Sequence, residues 1–67
     1  MTEAQARLIA SLEKEIKSAL ERAKWLDDLA AAGSLDRQMA ALQSEAEKQS
    51  AESYRKIRQT MIERWGL

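Results

Sequence analysis

The sequence predicts an all-α protein, an antiparallel hairpin of two helices over about residues 3–32 and 35–65, with its turn at Gly33–Ser34. Three observations carry this. The chain has no proline. Both halves are built mainly from Ala, Leu, Glu, Lys, Arg, Gln and Met, the strong helix formers. One of the two glycines, Gly33, sits at the midpoint, where a helix must stop in a left-handed cap, and the other, Gly66, is one residue from the end. Residues 1–67 therefore read as one helical-hairpin domain.

The first helix has a clear start. Thr2 followed by Gln5 has the spacing of a capping box, and Glu3 places negative charge in the first turn, where the helix dipole favours it. Ile9, Leu12, Ile16, Ala19, Ala23, Leu26 and Ala30 then follow an unbroken 3-4 spacing, a coiled-coil stripe of three heptads. Leu8 and Leu29 widen it on one side and Leu20 on the other. A stripe this wide suits a helix with two neighbours.

The turn segment is Ala-Ala-Ala-Gly-Ser-Leu-Asp, residues 30–36. Gly33 ends the first helix, Ser34 is placed to cap the second, and Asp36 lies in its first turn. So short a link makes the helices antiparallel.

The second helix is less regular. Leu35, Met39, Leu42 and Ala46 open a 4-3-4 pattern. Gln49, Ser50, Ala51 and Ser53 then interrupt it with small or polar side chains. Tyr54, Ile57, Met61, Ile62 and Trp65 resume it. Joining these segments through Ser50 takes three successive steps of four, a stutter in the supercoil. In this register Tyr54 and Ile57 face the Leu8 to Leu12 turns, Met39 and Leu42 face Leu26, and Ser50 lies opposite Ile16. The expected core comprises Leu8, Leu12, Ile16, Leu20, Leu26, Met39, Leu42, Tyr54, Ile57, Met61 and Trp65.

Composition limits the function. Sixty-seven residues make a small core that needs a staple. The chain has no cysteine and no histidine, which removes disulfides, thiolate metal sites and the commonest general base. The remaining staple is association, and two hairpins dimerising into a four-helix bundle are expected. Eleven acidic and eleven basic residues give net charge zero, so no global field draws the chain to nucleic acid or anionic lipid. No apolar run approaches the ~18 residues of a membrane span. The N-terminal segment lacks the apolar stretch of a signal peptide, and a cytoplasmic location is the default expectation.

The titratable residues do not assemble a catalytic set. Asp27 and Asp28 are neighbours about 100° apart on a helix, so they do not converge on one ion. Tyr54 has no base or nucleophile beside it and reads as a core phenol. The chain is expected to be no enzyme and to take no cofactor, metal or small ligand. Glu3 with Arg7, Glu13 with Lys17 and Glu52 with Lys56 are i,i+4 pairs of the favourable orientation.

Two features point to binding. Trp25 lies off the main stripe, with Leu29 one turn on and Arg22 one turn back, a patch for another protein or a filler of the dimer interface near the loop. Arg55, Lys56, Arg58 and Arg64 form a basic C-terminal run that suits phosphates, or simply complements the helix dipole. Trp65 is expected to plug the open end over Met1, Ala4 and Leu8. The reading is a small homodimeric interaction module that binds and regulates or chaperones another, unidentified protein, such as an adaptor, a secretion co-chaperone or a phage- or plasmid-encoded inhibitor. The alternatives are a nucleic-acid-binding hairpin dimer using the basic face, and a structural coiled-coil assembly subunit.

Overall fold

The computed structural model describes residues 1–33 and 36–66, and these form two helices, α1 (Glu3–Ala31) and α2 (Arg37–Trp65), packed side by side as a hairpin. The all-α hairpin expected from the sequence is the fold observed. Its extents are 47 × 16 × 11 Å, and its radius of gyration is 15.1 Å. A compact chain of this length has a radius of gyration of about 11 Å, so the molecule is a rod.

The ends of α1 follow the local chemistry read from the sequence. Thr2 Oγ1 accepts from the Gln5 amide at 3.2 Å, and Gln5 Oε1 accepts from the Thr2 amide at 2.8 Å, completing the capping box. Glu3 pairs with Arg7 at 2.6 Å. At the other end Gly33 has φ +76°, in the left-handed region, and its amide donates to the Ala30 carbonyl.

The second helix begins later than expected. Asp36 is its N-cap, with Oδ1 accepting from the amides of Gln38 at 2.9 Å and Met39 at 3.1 Å. A carboxylate at the N-cap satisfies two orphan donors and meets the helix dipole as well. Ser34, expected as the cap, and Leu35, expected as the first stripe residue, lie outside the described residues. Gly66, at φ +72°, closes α2.

The α1 stripe packs as read: Ile16, Ala19, Ala23 and Leu26 are buried, and Ile9, Leu12 and Ala30 are half-buried. The α2 stripe does not. Its buried residues are Ala40, Ser44 and Ala51, joined by half-buried Glu47, Tyr54, Arg58, Met61 and Trp65. These eight positions advance by 4, 3, 4, 3, 4, 3 and 4, a regular heptad seam with no stutter. Met39, Leu42 and Ile57 are 55%, 69% and 48% exposed, and Ser50 is exposed. Met39, Ser50 and Ile57 belong to a ladder displaced by one residue, about 100° around the helix, and Leu42 lies two residues off the seam, further round. The physical reason is size. Ala19, at 0% exposure, meets Ala51, at 1%. Alanine on alanine lets the backbones approach closely, and a seam through Met39, Leu42 and Ile57 would hold them apart.

Polar groups complete the seam. Ser44 Oγ donates to the Ala23 carbonyl at 3.4 Å, Arg22 meets Glu47 at 3.0 Å, and Lys48 stands 3.7 Å from Asp27. Glu13, expected to pair with Lys17, turns across the hairpin to Arg58 Nε at 3.3 Å. That nitrogen is buried without an aligned acceptor, so the contact is one of charge rather than a hydrogen bond. At the open end Trp65 is half-buried, while Met1 and Leu8 are exposed, so Trp65 does not cover them as expected.

Candidate interaction surface

Hydrophobic size is distributed from inside to outside against the usual order. Among the described residues, the buried apolar side chains are Ile16, Leu26 and four alanines, Ala19, Ala23, Ala40 and Ala51. Seven large apolar side chains are exposed: Met1, Leu8, Leu20, Trp25, Met39, Leu42 and Ile57. The backbones approach closely where Ala19 meets Ala51, and Leu20, Met39 and Ile57 stand beside the seam on its two flanks.

One flank is ionic. Here an open groove of about 510 Å³ has Ile16 and Leu20 as its floor. Lys17, Lys24, Arg55 and Arg58 rim it on one charge, Glu13 and Glu21 on the other. The Glu13–Arg58 and Asp27–Lys48 contacts cross the seam on this side.

The other flank is neutral along α2. Between Met39 and Met61 it is formed by Met39, Gln43, Ala46, Ser50, Ser53, Ile57 and Thr60, none of them charged, with Leu42, Gln49 and Lys56 at its outer edge. A shallow groove of about 540 Å³ opens at its middle, lined by Ala46, Gln49, Ser50, Ser53 and Tyr54. On α1 the same flank carries Leu8, Ser11, Ser18, Trp25 and Leu29, together with Glu15 and Arg22. Trp25, at 60% exposure, stands on the outer edge of this flank, turned away from α2. Leu29 beside it is half-buried, and Arg22 is held by Glu47.

The basic run does not form one face. Arg55 and Arg58 line the ionic groove together, and Arg58 is engaged by Glu13. Lys56 joins Arg55 at a separate groove with Glu52, Gln59 and Thr60. Helical spacing turns Arg64 to the neutral side, far from Arg55. Lys56 and Arg64 are exposed.

Among the described residues there is no group of three or more His, Cys, Asp or Glu side chains placed to hold a metal. No described helix is long and apolar enough to cross a membrane. Comparison with protein-family models, with curated proteins and with solved structures finds no match to this chain.

The sequence reading missed the seam of α2, although a signal was present. Ala40, Ser44, Ala51, Tyr54, Met61 and Trp65 already stand at strict 3-4 positions. Two charged residues, Glu47 and Arg58, fall on the same ladder and mask it. Both are long side chains that lay their methylenes along the seam and carry the charge to its rim.

Proposed function

We propose that this protein is a non-enzymatic interaction module, a helical hairpin that binds another protein and regulates or chaperones it. The observation that supports this reading is the inverted size distribution. A monomer gains little from leaving seven large apolar side chains in water while burying alanines, and large apolar side chains exposed on both flanks of so small a fold favour a contact site. Tryptophan among those residues strengthens it, because tryptophan is enriched at binding hot spots.

Arg55, Lys56, Arg58 and Arg64 do not share one face, and at the groove where Arg55 and Arg58 stand with Lys17 and Lys24, Glu13 and Glu21 offset their charge, which favours the nucleic-acid alternative less. A phosphate backbone is held by cations sharing a face.

Affinity capture with the intact chain tests the reading, with Leu20→Glu and Trp25→Ala as parallel baits. Circular dichroism establishes that both variants keep their helices. A protein retained by the unmodified chain and lost from one variant supports an interaction module and shows which flank it uses. Capture indifferent to both substitutions, or nothing captured beyond controls, overturns it.

A further inference from the structure

We propose that the neutral flank is the interface for a second copy of this chain, giving a four-helix bundle whose two-fold axis runs parallel to the helices. The proposal deepens the reading of this protein as an interaction module by naming the occupant of one of its two flanks.

The first observation is a displaced ladder. Subtracting one from each seam position of α2 from Ala40 to Arg58 gives Met39, Gln43, Ala46, Ser50, Ser53 and Ile57. The same subtraction on α1 gives Leu8, Ser11, Glu15, Ser18, Arg22, Trp25 and Leu29. Each helix thus has two parallel heptad ladders about 100° apart. A helix in a square bundle sees its two neighbours at nearly this angle, so one ladder serves the hairpin and the other is left for a further pair of helices.

The second observation is complementarity at fixed level. A two-fold axis along the rod brings α1 of one copy against α2 of the other, antiparallel as within the hairpin, and preserves height. Ala19 meets Ala51 inside the hairpin, so their neighbours Ser18 and Ser50 stand level on the flank. Stepping outward along both ladders sets Leu29 against Met39 of the second copy, near the turn. It sets Ser11 against Ile57 towards the free ends. At the waist Ser18 meets Ser50. Arg22 and Glu15 fall opposite Ala46 and Ser53, small residues that leave room for a long side chain to reach the rim. No residue of the α2 ladder opposes them with a like charge.

The third observation is area. The chain exposes 5111 Å² at a mass of 7.6 kDa. A compact monomer of that mass exposes about 4300 Å². The excess is roughly 800 Å², one partner's share of a standard interface. The ionic flank lacks the matching property, since its groove rim already carries both signs of charge in water.

Sedimentation equilibrium at micromolar concentration reads the mass, and disulfide trapping reads the geometry. The unmodified chain is expected at twice its mass. Ser50→Lys is expected at the mass of one chain, its dissociation constant raised at least about tenfold, because the waist then buries an unpaired ammonium. Leu20→Lys, on the ionic flank, is expected to remain a dimer. Mixing Ser18→Cys chains with Ser50→Cys chains under mild oxidation is expected to give a linked dimer with one chain of each kind, and either variant alone to give little. A monomeric unmodified chain overturns the proposal while leaving the module reading to the capture experiment. So does a dimer that Leu20→Lys dissociates and Ser50→Lys does not. Self-linking of Ser50→Cys without the mixed product would place the axis across the helices and overturn the arrangement.

Discussion

Substituting Ala51 by leucine tests where the hairpin seam lies. Ala51 is 1% exposed and packs against Ala19 and Ile16 at mid-rod. Leucine adds three carbons where the opposing residue is itself an alanine at 0% exposure, so no smaller neighbour remains to make room. The helices must separate or the side chain must leave its rotamer, a cost of about 1–3 kcal/mol. For a domain of this size that lowers the melting temperature by roughly 5–20 °C. Ala41→Leu is the matched control. Ala41 is exposed on the same helix, and leucine is nearly as good a helix former as alanine, so its effect stays within about 0.5 kcal/mol. Thermal unfolding followed by circular dichroism at one fixed protein concentration measures both. Equal melting temperatures, or a rise for Ala51→Leu, would refute the alanine seam and restore a register through Ser50.

Four further outcomes follow from named contacts. Gly33→Ala is expected to cost roughly 1 kcal/mol in chemical denaturation, because the backbone is left-handed there while nothing lies within 4 Å of an added Cβ; an increase in stability would mean the turn is not held in that conformation. Asp36→Ala removes the acceptor of two amides at the start of α2 and is expected to cost about 1 kcal/mol in the same assay, whereas a neutral result would shift the cap elsewhere. Ser44→Ala is expected to change stability by no more than about 0.5 kcal/mol, since the bond to the Ala23 carbonyl is 3.4 Å long; a loss above 2 kcal/mol would show that bond to be far stronger than its length implies. In a Trp65→Phe chain, Trp25 emission is expected to move to the blue as protein concentration rises from nanomolar to micromolar; a red maximum at every concentration would remove Trp25 from the self-association face.

The hairpin was legible because its signals are local. Thr2 and Gln5 need only each other to form a capping box, and a glycine between two helix-forming stretches needs no tertiary information to be a cap. The α1 stripe was legible because Ile9, Leu12, Ile16 and Leu26 are large. The α2 seam was not, because hydrophobic periodicity weights a residue by its size, and the buried positions of this seam, Ala40, Ser44 and Ala51, are small. Met39, Leu42 and Ile57 outweigh Ala40, Ser44 and Ala51 on any hydropathy scale, yet backbone approach is governed by volume. The candidate surface shifted with the seam. Residues assigned to the core, Leu20 on α1 among them, became a flank, whereas Trp25 stayed where its phase on α1 had put it.

The apparent stutter then has a different physical meaning. A path from Leu42 through Ser50 to Ile57 crosses between two ladders that are each regular. What reads as one irregular stripe is two ladders one residue apart, the inner one carrying Ala40, Ser44 and Ala51 where α2 is buried. Alanines at the inner seam cost little side-chain entropy to bury, and the two helices pair there through close backbone contact. The larger residues remain outside, where burial gives the most per side chain once a further surface arrives. A hairpin built in the opposite order, with Met39, Leu42 and Ile57 inside, would have a larger core and would leave only the α1 residues Leu8, Leu20 and Trp25 as large apolar side chains along its sides.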